Sequence, residues 1–350
     1  MSTMEPLKLD PGAWDGRAVH GFADPETGAH IFVAIHSIRG DRAIGGTRVK
    51  VYPGDEEAIL DAQRLAGGMT LKWAGVGIEA GGGKAVISLR EPISGTRREA
   101  LLKRYGQTIA ALPITFATGP DLGTSSTDMN WIAAGAPGRV FGRTPEAGGG
   151  GDPAPYTARG VFESMRVTAN HLWPDGLKGR RVLLQGVGHV GARLLGLLRA
   201  EGAELAFSDL DPATVRNWEG LGVPAIEPQR VFSEPCDLFA PCAVGGIINE
   251  ETIPQLACKA VVGAANNQLG EPADADRLRR RGILYAPDFI ANCGGAIALL
   301  RIELDGWDKQ QVMQAIIKTV QDNLGRVYAQ ADSKGISTDQ AARDLAQAAL

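Results

Sequence analysis

The segment Arg181–Asp209, RVLLQGVGHVGARLLGLLRAEGAELAFSD, constrains the fold more than any other stretch of the chain. It begins with a short apolar run, Val182–Leu184, long enough for a buried strand. Gly186, Gly188 and Gly191 follow at the spacing G-x-G-x-x-G. A helical face of Leu194, Leu195 and Leu198 comes next and is ended by Gly202. A second apolar run, Leu205–Phe207, delivers Asp209. The order is strand, glycine turn, helix, strand, acid. In such a unit the first glycine permits a tight turn, and the second lets the backbone approach a pyrophosphate. The third lets the helix pack close to the strand. Free N–H groups at the helix start face the phosphate. An acid after the second strand can accept a hydrogen bond from a ribose 2′-OH.

Glycine is abundant enough, at 46 residues, for the bare spacing to arise by chance. The flanking runs, and an acid 18 residues beyond Gly191, favour a dinucleotide site over an ordinary βαβ turn that binds nothing. The expected cofactor contacts are Gly186, Gly188, His189, Val190 and Gly191 in the turn, with Asp209 beyond it. The charge of Asp209 would repel a 2′-phosphate, so the expected cofactor is NAD rather than NADP. His189 reads as an exposed spacer in the loop, not as a catalytic group.

A length of 350 residues suggests two domains, and 44% apolar residues leave room for two cores. The formal charge of -4 offers no basic field for nucleic acid. No apolar run approaches the length of a membrane span. The opening, MSTMEPLKLDPGAW, lacks the regions of a signal peptide. Cys236, Cys242, Cys258 and Cys293 have no metal-ligand spacing and read as small buried thiols in a reducing cytoplasm. The expectation is a cytoplasmic protein without a metal site.

Along the chain, His30–Ser37 reads as a strand, with Val49–Tyr52 as a candidate partner. Asp55 is a candidate N-cap for a helix from Glu56 to about Trp73. Gly81–Gly83 then precede Lys84 and a strand over Ala85–Leu89. The stripe Leu101, Leu102, Tyr105, Ile109 and Leu112 predicts a helix over Arg97–Leu112. Ile114–Ala117 reads as a strand that ends in the turn-rich TGPDLGTSSTDM around Asp121. Strands separated by helices make this part α/β with a mixed sheet. The run EAGGGGDPAP, Glu146–Pro155, is a linker and candidate hinge. Beyond the glycine turn, strand-like runs recur at Asp237–Ala240, Val261–Ala264 and Ile283–Ala286, the rhythm of a doubly wound sheet. Long amphipathic segments, Gln310–Ala331 and Thr338–Leu350, follow, and Ser337 with Gln340 fits a capping box.

A cofactor site alone names no reaction. Lys84 follows three glycines, where crowding is minimal and a substrate can approach. Lys72 lies twelve residues earlier, near a helix end. In one cleft the two ammonium groups would repel, and burial would add to the effect. Both lower a lysine pKa toward the range of a general base. Alternatively, one lysine stays charged and binds a carboxylate. Asp121, at a strand end, can relay protons. The competing reading of each is a solvated surface lysine or a turn-capping aspartate.

GGTR at Gly45–Arg48, GGMTLKWA at Gly67–Ala74, GGGKAVI at Gly81–Ile87 and TGPDLGT at Thr118–Thr124 form a specific set. VGAANNQL at Val262–Leu269 and YAPDFIANCGGAI at Tyr285–Ile297 complete it. With these segments the sequence resembles the glutamate/leucine/phenylalanine/valine dehydrogenase family, over most of the chain and in family order. Within it the resemblance is to the short branch acting on apolar L-amino acids. TGPD and the APDFIAN segment are most similar to phenylalanine dehydrogenases, and NNQL is also similar to tryptophan dehydrogenases.

The resemblance implies an N-terminal α/β substrate and oligomerisation domain over residues 1–145 and a Rossmann NAD-binding domain over 146–334. A C-terminal helix, about 335–350, would pack back on the first. It implies that Lys72 binds the substrate α-carboxylate, Lys84 is the general acid/base and Asp121 assists proton transfer. Gly46 would back the pocket. Asn267 and Asn292 would lie at the nicotinamide and the substrate amino group, with Ala243 and Ala265 beside the cofactor. The family commonly has Asp where Asn266 stands and Ala where Cys293 stands. The first difference removes a charge beside the cofactor and the second adds bulk near the pocket. The implied reaction is reversible oxidative deamination of an apolar L-amino acid, in a homo-oligomer whose domains close around the linker. Two alternatives remain at this point: a glutamate dehydrogenase, and an NAD-binding sensor without activity. The small residues Gly46, Ala117, Ala291 and Cys293 are expected at or near the side-chain pocket and oppose the first alternative. The presence of Lys72, Lys84 and Asp121 together opposes the second.

Overall fold

In the computed structural model of the chain, which describes residues 3–9, 12 and 14–350, the backbone divides between Gly151 and Asp152. Met1, Ser2, Asp10, Pro11 and Ala13, in the opening segment, lie outside the described residues. One unit comprises Met1–Gly151 and Leu299–Asp308; the other comprises Asp152–Ala298 and Lys309–Leu350.

The first unit is built on β1 (Glu5–Pro6), β2 (Ala18–Ala23), β3 (His30–Ile35), β4 (Arg42–Val51), β5 (Gly81–Leu89) and β6 (Thr115–Pro120). Helix α1 (Asp55–Gly75) joins β4 to β5, α2 (Gly95–Ala110) joins β5 to β6, and α3 (Ser126–Gly135) follows β6. The sheet order is β1-β2-β3-β5-β4-β6. β3 runs antiparallel to β5, whereas β4 is parallel to both β5 and β6, so the sheet is mixed. The segment expected to pair with β3, Val49–Tyr52, therefore does not: β5 lies between. Alternation along β5 separates two cores. Ala85 and Ile87 face Leu101, Tyr105 and Ile109 of α2 and Met129 and Ile132 of α3. Val86 packs with Phe32 against Ala58, Ala62 and Ala66 of α1. Each large buried side chain here contributes about 1.5–3 kcal/mol.

The three consecutive glycines sit in this strand, which begins at Gly81 rather than at Ala85. Any Cβ on Gly81 would fall 2.0 Å from Ser37 O, and on Gly82 2.2 Å from Thr70 N of α1. The backbone of α1 thus approaches the strand as only glycine allows. Trp73 Nε1 donates to Ile44 O at 2.8 Å and ties the end of α1 to β4. The N-cap of α1 is Gly54, without a side-chain cap, so the expected Asp55 cap is absent. Asp55 instead pairs with His30 Nδ1 at 2.8 Å.

Leu299–Asp308 joins this unit because Glu303, whose side chain is fully buried, accepts from Gly142 N at 2.7 Å and Gly150 N at 2.9 Å. It also pairs with Arg143 Nε at 3.0 Å.

The second unit contains α4 (Ala154–Leu172), β7 (Arg181–Gln185), α5 (His189–Ala200), β8 (Glu204–Ser208), α6 (Pro212–Gly220) and β9 (Leu238–Pro241). Then come β10 (Ala260–Val261), α7 (Asp274–Arg280), β11 (Leu284–Tyr285) and α8 (Asp288–Ala291). Helix α9 (Gly294–Glu303) crosses the boundary between the units, and α10 (Lys309–Lys334) and α11 (Thr338–Ala348) follow. The sheet is wholly parallel in the order β11-β10-β9-β7-β8. Val182 and Leu184 face α4, α5 and α10, while Leu183 faces Leu278 of α7 on the other side. Both faces are covered, as a parallel sheet requires.

Helix α11 stays in this unit rather than returning to the first. Its Ala341 and Ala342 enter the core beside α10, and Thr338 Oγ1 donates to Tyr285 O at 2.6 Å. Ser337 is its N-cap but makes no side-chain cap bond, so the expected capping box is absent. Gln340 Nε2 donates instead to Asp344 Oδ1 at 2.7 Å. A true capping box occurs at Ser125 and Asp128, at the start of α3.

Candidate active site and dinucleotide cleft

Lys84 lies on β5, on the face that packs against α1, and is only 4% exposed. Its Nζ is 2.8 Å from Asp121 Oδ1, in the turn after β6. The other carboxylate oxygen, Oδ2, accepts from Arg48 Nε of β4 at 2.7 Å. The register explains the meeting: β4 lies between β5 and β6, with Gly46 opposite Gly119. Burial pushes the Lys84 ammonium below the usual lysine range; Asp121 opposes this, and the charges of Arg48 and Lys72 add to it. Burial alone would raise Asp121, but Lys84 and Arg48 hold its carboxyl below the usual range.

Gly46 faces this pair directly. A Cβ there would lie 3.2 Å from Lys84 Nζ, 2.9 Å from Asp121 Cβ and 3.2 Å from Pro120 O. Thr124 steadies the turn: its Oγ1 accepts from Asp121 N at 2.8 Å and donates to Thr47 O at 3.0 Å. Lys72, half-buried in the last turn of α1, is near enough to act electrostatically on Lys84. Lys84, Asp121, Gly46 and Lys72 thus come together within the first unit. Ala117, on β6, is 2% exposed.

In the second unit, strand order reverses between β7 and β9, which opens a crevice at the carboxyl ends of the strands. The glycine turn occupies it. Gly186 has φ +95°, and a Cβ on it would strike Ala243 Cβ at 2.6 Å. Gly191 needs to be glycine because its Cβ would fall 2.4 Å from Gly186 O. Gly188 is the N-cap of α5 and has nothing within 4 Å of its Cβ position, so a ligand can approach the backbone there. Val190 is half-buried against the core and His189 is exposed. A cleft bounded by Val187, Gly188, His189, Arg193, Asp211 and Trp218 runs past this turn. Asp209 Oδ2 accepts from Val187 N at 2.7 Å, and Oδ1 accepts from Asp211 N at 2.9 Å. The residues therefore fit a dinucleotide: a glycine cradle, a helix N-terminus and an acid beside them.

Asn292 and Asn266, 26 residues apart, meet in space. Asn292, 7% exposed at the end of α8, donates from Nδ2 to Asn266 Oδ1 at 2.9 Å and to Ala265 O at 3.3 Å. Asn267 takes a left-handed backbone, φ 51°, and its carbonyl accepts from Gly246 N at 2.7 Å. Ala265 is buried, and its N–H donates to Pro241 O at 2.9 Å. A side-chain partner of Asn292 is thus Asn266. Ala291 and Cys293 are fully buried.

Two family profiles match the chain: "Glu/Leu/Phe/Val dehydrogenase, dimerisation domain" over residues 23–136 and "Glutamate/Leucine/Phenylalanine/Valine dehydrogenase" over 213–350. A leucine dehydrogenase of Geobacillus stearothermophilus is 40% identical over 326 residues, 93% of this chain and 88% of the relative. The chain belongs to the glutamate/leucine/phenylalanine/valine dehydrogenase family. A phenylalanine dehydrogenase of Thermoactinomyces intermedius is 38% identical over 91% of this chain and 87% of its own. The crystal structure of the L-tryptophan dehydrogenase from Nostoc punctiforme superposes with a TM-score of 0.85 at 34% identity, covering 96% of each chain. The architecture is that family's two-domain dehydrogenase fold.

Some residues at these sites escape a sequence reading. Arg48 stands in the family-like segment GGTR, but nothing in its spacing from Asp121 foretells their contact. Asp61, which accepts from Arg48 Nη1 at 2.7 Å, looks like any solvated helix carboxylate. Arg193, on the rim of the cleft, is paired with Asp152 at 2.8 Å.

Proposed function

We propose that the chain catalyses NAD-dependent oxidative deamination of an apolar L-amino acid to the 2-oxo acid and ammonium, and the reverse reductive amination. The observation that carries the reading is the buried Lys84 paired with Asp121 beside Gly46. When bound, the nicotinamide cofactor accepts the hydride from the substrate Cα; that chemistry belongs to the cofactor. The rest falls to the chain. Lys84, its ammonium disfavoured by burial, takes a proton from the water that adds to the substrate iminium carbon. Asp121, at 2.8 Å, exchanges protons with Lys84 as the carbinolamine collapses. Lys72 binds the substrate carboxylate. Gly186, Gly188 and Gly191 cradle the pyrophosphate with His189 and Val190, and Asp209 takes the adenosine ribose. Ala243, Ala265, Asn267 and Asn292 line the nicotinamide end, Asn267 and Asn292 also meeting the substrate.

The apolar preference is supported by the relatives, which include leucine and phenylalanine dehydrogenases. Self-association into a homo-oligomer accompanies the reading, supported by the match to a dimerisation domain.

The test is NADH formation with NAD and single amino acids. kcat/KM for phenylalanine, tryptophan, leucine, valine, alanine and glutamate under one condition should place the large apolar side chains first. Each buried CH₂ adds about 0.8 kcal/mol. Glutamate should come last, its carboxylate unpartnered in an apolar pocket. Glutamate or alanine in first place would contradict the substrate class.

A further inference from the structure

The hydrogen-bonded groups that begin at Lys84 do not stop at Asp121. Arg48 donates from Nε to Asp121 Oδ2 at 2.7 Å and from Nη1 to Asp61 Oδ2 at 2.7 Å. The same Asp61 oxygen accepts from Tyr52 OH at 2.7 Å, and Oδ1 accepts from Arg64 Nη2 at 3.0 Å. Charges alternate along this line, positive on Lys84, negative on Asp121, positive on Arg48, negative on Asp61. The four side chains come from β5, the turn after β6, β4 and α1, and none is more than 23% exposed. Arg64, at 71%, marks the solvent end.

We propose that Arg48 and Asp61 are positioning residues for the Lys84–Asp121 pair: Arg48 fixes the Asp121 carboxylate, and Asp61 sets how much of the Arg48 charge the pair feels. The inference rests on the reading of Lys84 as the acid/base. A planar guanidinium that bonds two carboxylates from different edges fixes both in direction, which a lysine ammonium cannot do. With Oδ2 held by Arg48, Asp121 presents Oδ1 to Lys84.

The charged groups bearing on Lys84 are Asp121, Arg48 of β4 and Lys72 of α1. Those on Asp121 are Lys84 and Arg48; those on Arg48 are Asp121 and Asp61. Tyr52, Arg64 and Arg48 surround Asp61. Tyr105 of α2, bonded to Thr47 Oγ1 at 2.8 Å, is fully buried and stays neutral, its hydroxyl pushed up by burial. Lys84 and Arg48 together hold the Asp121 carboxyl low in the resting pair, so the acid limb reads the proton on Lys84. Arg48 also lowers the proton affinity of Lys84, and Asp61 offsets that effect.

Removing each charge should therefore move the acid limb of kcat/KM in opposite directions. In Arg48→Gln, Lys84 loses a repelling charge and the limb moves to higher pH. In Asp61→Asn, the Arg48 charge is less offset and the limb moves to lower pH. A shift of roughly half a pH unit or more is expected for Arg48→Gln, since unit-sized shifts follow from charges within several ångströms; the Asp61→Asn shift, which acts through Arg48, should be smaller and opposite in sign. Arg48→Lys should return the limb toward its original position while kcat stays about tenfold or more below that of the unmodified enzyme, because the fork is missing. Damage to the fold alone would not shift the limbs in opposite senses. If Arg48→Gln fails to fold by circular dichroism, Arg48→Lys and Asp61→Asn carry the test. Limbs that stay put or move the same way, or full rescue of kcat by lysine, would overturn the proposal. An active Lys84→Ala variant would instead contradict the acid/base reading beneath it.

Discussion

Gly46 stands so close to Lys84 that a β-carbon on it would lie 3.2 Å from the ammonium nitrogen. The lysine end could yield, but Asp121 Cβ at 2.9 Å and Pro120 O at 3.2 Å are less free to move. Gly46→Ala should therefore displace the reacting pair while leaving the unit folded. We expect kcat/KM to fall roughly 10- to 100-fold, the scale of a sub-ångström to ångström misplacement. Steady-state kinetics beside a thermal melt check this; unchanged kinetics would show that Gly46 does not shape the pair.

Gly191 packs against the peptide of Gly186, with only 2.4 Å between a hypothetical Cβ and that carbonyl oxygen. Backbone cannot step aside as a lysine end can. Gly191→Ala should cost about 1–3 kcal/mol of stability, as overpacking does, and should weaken NAD binding. Denaturant unfolding and calorimetric titration with NAD measure the two effects.

Asp209 holds the glycine turn through Val187 N at 2.7 Å as well as offering a carboxylate to a ribose. Asp209→Ala should weaken NAD binding about tenfold or more and narrow the preference over NADP. Asp209→Asn keeps an acceptor for Val187 and removes only the charge. It should narrow the preference with a smaller loss of NAD affinity. Kinetics with both cofactors separate the roles, and an unmodified enzyme preferring NADP would sink the assignment.

Asp24 is fully buried and takes a two-point bond from Arg104, Nε to Oδ1 at 2.7 Å and Nη2 to Oδ2 at 2.8 Å. Burial alone would raise its carboxyl; Arg104 and Thr27 outweigh that and hold it below the usual value of 3.8. Because the folded state binds this proton less readily than the unfolded chain, the contribution is full above about pH 4. It is lost as pH falls through the lower folded value. Asp24→Ala should cost about 3 kcal/mol at neutral pH, softened because Arg104 keeps Glu26 at 2.6 Å. It should also flatten the loss of stability below pH 4, as urea unfolding at several pH values would show.

The helices and the glycine turn were legible because their signals are local. An apolar stripe marks α2, amphipathic periodicity marks α10, and G-x-G-x-x-G after a strand marks the crevice. Gly81–Gly83 fall inside β5 rather than before it because glycine, a poor strand former on its own, here admits a neighbouring helix backbone. Ser337 and Gln340 carry a capping pattern that α11 does not use. The Arg48–Asp121–Asp61 junction was illegible for a physical reason. Arg48 and Asp121 are 73 residues apart, Arg48 and Asp61 resemble surface charges, and it takes the insertion of β4 between β5 and β6, with α1 following β4, to bring the three together. The return of Leu299–Asp308 to the first unit rests likewise on carboxylates that meet distant partners, Glu303 with Arg143 and Asp305 with Arg42.

Everything proposed for the site turns on Lys84 as the acid/base of an amino-acid dehydrogenase. The most direct test of that role is turnover by Lys84→Ala, with NAD affinity measured on the same preparation. In that variant kcat should fall by about 10²–10⁴-fold with NAD binding unchanged. Near-normal turnover in that variant would contradict that role.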